Sequence, residues 1–549
     1  MDRVWQTFHT LRYLKVSQIF YRGYYRLSKP KVVENKQFQT RAAINFWESP
    51  SYQTAATLDG KTFTFLGQTA DLDDDWNAPS FPKLWLYNLH YQDDLNGVGF
   101  RDRAAQLDSM IDAWIKGNPT LLGNGWEPYC ISLRAVNWIK WFCHKPAANV
   151  SERWVSSLGV QVGVLEQLLE RHILANHLFA NAKALVFAGA YFGGTEGERW
   201  LKKGLALLDS EIEEQFLPDG GHYELSPMYH SILLWDIADL INLARTSQLP
   251  ELTERSDYLS AIFVKGNSWL QSMVHPDSGV AFFNDSTLGI APTLADLSAY
   301  AEFLDIELPE TSRSGLAGLM FRDTGYCAVN FDADSRLIAD VGSVGPDYQP
   351  GHAHADTLSC ELSLFGQRVL VNSGISQYGE DAERNRQRST VAHNTVEVDG
   401  ESSSEVWAGF RVARRAYPLE VEYSETDDCI RLAAGHSGFM RLKGKVTHHR
   451  TWEASRFQLR VIDRLDGRYE RALGFWHLHP NIDASMRDKS TVDLALPSGQ
   501  TVVLSIAGAE LALEDTTWHP EFGESVPNTR IVFKFSSPTA VTEVRWSND

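Results

Sequence analysis

The spacing of apolar residues changes once along this chain, near residue 315, and that change limits the fold to an all-α part followed by an all-β part. From about residue 100 to 310 apolar side chains recur at steps of three and four, as in RDRAAQLDSMIDAWIKG, ISLRAVNWIKWFCHK, SSLGVQVGVLEQLLERHI, HLFANAKALVFAGAYFG and SILLWDIADLINLARTS. Short turns with Gly or Pro separate these segments, so they predict helical hairpins without intervening strands. After about residue 315 the step becomes two. GYCAVNFD, SRLIADVG, LSCELSLFG, QRVLVNSG, NTVEVDG, FQLRVIDRLDG and TVVLSIAG predict strands ending at Gly, Asp or Asn turns. At 549 residues the chain is too long for one ordinary core. Two packed domains with a cleft between them are therefore expected. The boundaries read as 1–75 for a basic lead-in, 76–312 for the helical domain and 313–549 for the strands.

The formal net charge is −19, which excludes a general nucleic-acid binder, since that function needs a basic surface to release counterions. Positive charge is instead clustered, as Arg384, Arg386 and Arg388 and then Arg411, Arg414 and Arg415. A basic cleft in an acidic protein focuses an anionic substrate, and a solvated charged loop is the competing reading. The 17 Trp could stack on sugar rings, but each is first of all core material. The five Cys contain no CxxC pair, so no disulfide framework is expected.

The first 32 residues, MDRVWQTFHTLRYLKVSQIFYRGYYRLSKPKV, are interrupted throughout by Arg and Lys. They contain neither an apolar h-region nor a small-residue cleavage site, so a cytoplasmic location is the default expectation. No stretch is clean enough to span a membrane. A basic amphipathic helix on a membrane surface or partner is one reading of this segment, and packing on its own domain is the reading adopted.

Chemistry-bearing side chains fall into five clusters. NGWEPYCISLRAVNW carries Trp126, Glu127, Tyr129, Arg134 and Asn137, with Arg134 and Asn137 one turn apart and able to face one groove. Asn176 and His177 open a helix. DGGHYELSPMYH brings His222, Glu224, Tyr229 and His230 to the start of another. Polar groups thus collect at helix N-termini, where free N–H groups and the dipole favour an anion. In GHAHAD an extended strand would put His352 and His354 on one face. RSTVAHNTVEVDG adds His393 and Asn394. Three His with an Asp nearby could hold zinc, against a metal-free hydrogen-bonded network.

Together, LWLYNLHYQDDL around Trp85 and His90, NGWEPYCISLRAVNW, GGHYELSPMYH and GHAHAD…VNSG…RSTVAHNTVEVDG resemble the heparinase II/III family of polysaccharide lyases, in order and spacing, over most of the chain. The resemblance implies a multidomain α+β fold, an incomplete (α/α) toroid followed by an antiparallel β-sandwich domain. It implies β-elimination on an acidic, uronate-containing polysaccharide. Tyr229 matches the family's catalytic Tyr, and Asn176 the neutraliser of the uronate carboxylate. His177 and His352 assist or act as base. Trp126, Glu127, Arg134, Glu224, His230, Tyr378 and Arg388 are carried as substrate contacts. His230, His222 and the Arg group are the candidates for lowering the Tyr229 pKa.

Zinc in the family is held by His, Asp and His. Here those places hold His354, Asn372 and His393, and Asn372 offers only a neutral amide oxygen. Asp356 is the alternative third ligand. The elimination itself needs no metal, so any zinc is structural. Degradative family members are exported to the periplasm, and a chain without an export signal is expected in a polysaccharide-assembly or capsule pathway. Two other classes stay open. A glycoside hydrolase would pair two of Glu127, Glu224 and Asp236. A non-catalytic glycan-binding accessory protein would release nothing.

Overall fold

A computed structural model describes residues 2–33, 36–41, 47–72, 75–309 and 315–547. Two short helices, α1 (Asp2–Leu11) and α2 (Val16–Leu27), lead in. The helical domain follows with α3 (Lys83–Tyr91), α4 (Ala104–Gly117), α5 (Pro128–Cys143), α6 (Glu152–Leu165), α7 (Ala175–Tyr191), α8 (Gly194–Gln215) and α9 (Pro227–Ser247). It closes with α10 (Pro250–Thr253), α11 (Ser256–Ser272) and α12 (Leu294–Phe303).

Burial sorts these helices into two layers. Every residue of α7 except His177 is buried, and α5 and α9 are nearly as enclosed. They form an inner ring, with the more amphipathic α4, α6, α8 and α11 outside it. Small residues let the layers approach closely. A Cβ on Gly189 of α7 would lie 2.3 Å from the Leu201 nitrogen of α8. The result is the incomplete (α/α) toroid.

One helix departs from the sequence reading. The apolar pattern predicts helix through Ile173, but α6 ends at Leu165 and residues 166–174 fold into turns. The Asn181 amide holds that turn, accepting from the Glu170 backbone N–H at 2.7 Å and donating to its carboxylate at 3.0 Å.

Among the described residues the strand region forms three larger antiparallel sheets and a two-stranded one, Val406–Trp407 with Arg411–Val412. Five strands between Ala317 and Leu370 make one sheet, with Tyr326–Asn330 and Arg336–Asp340 buried throughout. Eight strands run from Pro418–Glu425 to Asp483–Met486 in spatial order, and four pair Ala509–Trp518 through to Val396–Val398. Alternating burial in Thr447–Ser455 and Gln458–Asp466 turns Trp452, Leu459 and Val461 inward. This is the β-sandwich domain.

The domains lock together at one carbonyl. Leu225 O accepts from Tyr326 Oη at 2.7 Å and from Asn284 Nδ2 at 2.9 Å. All five Cys are free thiols. No helix among the described residues is long and apolar enough to cross a membrane.

Candidate active site

Three inner helices start at the same end of the toroid, and their first turns carry the site. α5 brings Tyr129, α7 brings Asn176 and His177, and α9 brings Tyr229, capped by Ser226 Oγ accepting from the Tyr229 N–H at 3.2 Å. The exposed N–H groups and dipoles of these turns favour an anion at this end. The chain reaches these turns through left-handed backbone at Leu174 (φ 71°), Ala175 (φ 54°) and Leu225 (φ 59°). Such strain at bulky residues persists only where surrounding structure enforces it, and it gathers at functional sites.

The β-domain supplies the facing wall. His352 lies on Tyr229 with ring centroids 3.9 Å apart and planes at 29°. Its Nε2 is 3.5 Å from Asn176 Nδ2 and 3.6 Å from Glu224 Oε2. Tyr378 Oη is 3.0 Å from Tyr229 Oη. Glu224 Oε1 accepts from the Asn176 backbone N–H at 3.2 Å, capping α7, and burial raises this carboxyl above its usual range. Asn176 Oδ1 and Glu224 Oε2 are buried without a hydrogen-bond partner. Buried polar atoms of this kind call for a partner that is not part of the chain.

Two carboxylates that the sequence reading did not single out orient the histidines. Asp285 accepts from His352 Nδ1 at 2.9 Å and from His354 Nε2 at 2.8 Å. It is also held bidentately by the fully buried Arg384, with Nη2–Oδ2 at 2.7 Å. Burial alone would raise this carboxyl, but Arg384 and the two histidines hold it well below the usual range. With Nδ1 of His352 committed to Asp285, the Nε2 lone pair is the one turned to the cleft. The second carboxylate is Glu170, which accepts from His177 Nδ1 at 2.9 Å. Burial opposes charge on His177, but Glu170 outweighs it and the imidazole sits above its ordinary pKa. Tyr129 stacks on this ring at 4.3 Å.

Several predicted contacts lie elsewhere. Arg134 is fully buried, donating to Gln161, His90 O and Gly125 O, and it packs 3.8 Å over Trp114; Asn137 holds the Tyr91 carbonyl and Asp93. The pair therefore braces helices and does not face a groove. Trp126 is buried with its indole N–H on Asn118 O. His230 turns away to Gly266 O and burial pushes it down to about 4. His222 is held by Gln215, also far below its usual value through burial. Neither histidine can lower the Tyr229 pKa. Burial instead raises Tyr229 well above a free phenol, opposed by Tyr378 and Arg384.

Five of the six clustered arginines are engaged within the protein, Arg384 with Asp285 among them, and Arg411 is exposed. Arg388 is fully buried on Ala353 O, Arg386 pairs with Glu383, Arg414 with Glu405 and Arg415 with Asp347. Glu127 sits at the rim with Lys83 and Tyr87, and Asp236 pairs with Lys183 at 2.6 Å. The HAH segment is a loop, not a strand, yet both histidines meet on Asp285 as one face.

The zinc residues were tested against the geometry. His354 Nδ1 and His393 Nε2 are 3.2 Å apart, close to the edge of a tetrahedron with Zn–N near ~2.0–2.1 Å. Burial pushes His354 down to about 4 and His393 well down, so both are the neutral imidazoles a metal binds. Asn372 offers a neutral amide oxygen that already accepts from the Asn394 N–H at 3.2 Å. Asp356 completes the set, with ligand atoms of His354, Asp356 and His393 all within 4.8 Å. Burial raises its carboxyl to about 6, and among the described residues no Lys or Arg pairs with it. These residues fit a zinc ion, with Asp285 behind His354 as the carboxylate that orients a ligating imidazole.

Comparisons with known proteins bear on the family and the fold. The chain matches the heparinase II/III N-terminus over residues 109–306 and the heparinase II/III-like C-terminal domain over 314–547. It is 24% identical to the heparin-sulfate lyase of Bacteroides stercoris over 257 residues, 42% of this chain and 38% of that protein. To the heparin-sulfate lyase of Pedobacter heparinus it is 22% identical over 250 residues, 41% and 36% respectively. The matched stretches thus span less than two-fifths of those relatives. Among solved structures, heparinase III superposes with a TM-score of 0.67 at 18% identity, covering 85% of this chain and 76% of that one. A mutant of the heparan sulfate lyase of Pedobacter heparinus gives 0.63 at 17% identity, covering 97% and 88%. With both halves matched in order, the chain belongs to the heparinase II/III-like family.

Proposed function

We propose that this protein is a polysaccharide lyase, cleaving a 4-linked uronate-containing glycan by β-elimination. One observation carries the reading: Asn176, Tyr229 and His352 meet across the domain cleft, with His352 3.9 Å over the Tyr229 ring and 3.5 Å from the Asn176 amide.

Removing the C5 proton is hard because negative charge builds beside a carboxylate. The site divides the work. Asn176 donates its amide to that carboxylate without titrating, and His177, whose charged form Glu170 favours, adds positive charge when protonated. His352 Nε2 takes the C5 proton, and the Asp285 carboxylate stabilises the imidazolium that results. Tyr229, held protonated by burial, gives its proton to the leaving O4. The electron pair of the C5–H bond becomes the C4–C5 double bond as the C4–O4 bond breaks. Tyr378 hydrogen-bonds the phenol and supplies a path for its reprotonation. Zinc at His354, Asp356 and His393 would tie the loop bearing His352 to the β-domain and has no part in these steps.

A hydrolase needs a free acid and base pair of carboxylates. Glu127 and Asp236 are neutralised by Lys83 and Lys183, which speaks for the lyase reading. The test is a panel of acidic polysaccharides followed by ultraviolet absorbance and product mass. A product with a new double bond and no added water is expected. Products heavier by one water would replace the lyase with a hydrolase, and binding without cleavage would leave an accessory protein.

A further inference from the structure

α1 and α2 carry apolar stripes on the side facing away from the protein. On α1 these are Val4, Trp5, Phe8 and Leu11, with Trp5 58% exposed. On α2 they are Val16, Ile19, Phe20, Tyr24 and Leu27, with Phe20 61% and Leu27 89% exposed. The steps of four and three put each set on one helical face. That face cannot simply roll inward, because the opposite face is pinned to both domains. Gln18 donates to Tyr348 O at 3.1 Å, Tyr25 to Leu169 O at 2.5 Å, and Lys15 pairs with Glu214. Trp407 donates to Thr10 Oγ1 at 3.1 Å, and Arg415 lies 3.9 Å over Tyr13.

The segment that carries these faces is basic. Arg3, Arg12, Arg22, Arg26, Lys29 and Lys31 are exposed, and residues 3–33 contain no Asp or Glu. The whole chain carries −19, so this is a local reversal of sign. Soluble monomers rarely leave so many large apolar side chains of one short segment bare. Aromatic and aliphatic side chains framed by Arg and Lys suit the boundary between anionic headgroups and acyl chains, with the long cationic stems snorkelling outward. Neither helix is long enough to span, so both would lie in the interface plane. A second copy is a poor occupant. A two-fold contact through these faces would bring two basic segments together.

We propose that the segment carrying α1 and α2 docks this protein on an anionic lipid surface. The segment is strapped to the toroid next to Leu169 and to the β-domain at Tyr348 and Trp407, so docking would fix how the cleft is presented to that surface. This does not depend on which glycan the cleft takes.

The test is co-sedimentation of the full chain with vesicles of phosphatidylcholine alone and with added phosphatidylglycerol. Light scattering reports oligomeric state in parallel. Binding to the anionic vesicles is expected, lost at high salt and negligible on phosphatidylcholine alone. Phe8→Ser with Phe20→Ser should abolish it. Arg22→Glu with Arg26→Glu should weaken partition by at least about fivefold per cation lost. Absence of binding to anionic vesicles overturns the proposal, as does binding that both variants retain. Oligomers that Phe8→Ser with Phe20→Ser dissolves, in a chain that ignores vesicles, would assign the face to a second copy. Should the serine variant fold poorly, the charge-reversal variant and the vesicle comparison decide the matter alone.

Discussion

His352 lies flat against Tyr229, 3.9 Å between ring centroids, although the two residues come from different domains and are 123 positions apart. The residues proposed as proton acceptor and proton donor are thereby fixed side by side. The proposed elimination uses them on adjacent atoms of one sugar, C5 and O4.

Tyr229→Phe keeps the ring stack and removes the transferable proton. Product formation should fall by about 10²- to 10⁴-fold with little change in melting temperature, since the hydroxyl bonds only Tyr378. Asn176→Ala should fall similarly with a raised KM. Unchanged rates in both variants, measured by ultraviolet absorbance, would remove these residues from the chemistry.

Glu170→Gln should move the pH profile. Glu170 raises the His177 pKa, so the cation persists above the ordinary histidine value and is lost as pH rises through the raised pKa. Activity that needs this cation should therefore fall on the alkaline side. In Glu170→Gln that limb should shift to lower pH, read from kcat/KM against pH. A limb that does not move would mean that His177 acts only by shape.

Asp285→Asn leaves Arg384 buried without its counter-ion. Losing one partner of a buried pair costs about 3–5 kcal/mol, so the denaturation midpoint should drop sharply. Arg384→Met with Asp285→Asn should recover part of that loss. If the single variant is as stable as the parent, the pair is not the brace described above.

Zinc should raise the melting temperature, and a chelator should lower it, with the ion counted by metal analysis. His393→Ala and Asp356→Asn should each weaken binding, whereas Asn372→Ala should not, because the Asn372 oxygen faces a backbone N–H. Metal content insensitive to Asp356→Asn would return the third ligand to another group.

Much of the site was legible before folding. Asn176, His177 and Tyr229 stand at helix starts, where polar residues against an apolar periodic run are conspicuous. Glu170 was hidden because it continues the apolar rhythm of LEQLLERHI, and only the Asn181 amide shows that the helix has already ended. Asp285 sits in FFNDST, a polar break after an apolar run, and that signal is weak until His352, His354 and Arg384 are seen to converge on it. Arg134, Arg388 and His230 misled for the opposite reason. A charged or polar residue beside a motif reads as a ligand contact, but in a toroid of tightly packed helices it can be the brace that satisfies buried carbonyls.

The sequence alone determined the order of layers, since the apolar period fixes helix or strand and each face must find a partner. It also determined which residues could neutralise, accept or donate, because those capacities belong to the side chains. The proposed roles rest on the tertiary structure. Burial raises the Tyr229 pKa, Glu170 raises that of His177, and Asp285 holds the His352 ring, each through a group distant in sequence or hidden in a turn. A pKa depends on surrounding dielectric and charge, and those exist only once the chain has closed on itself.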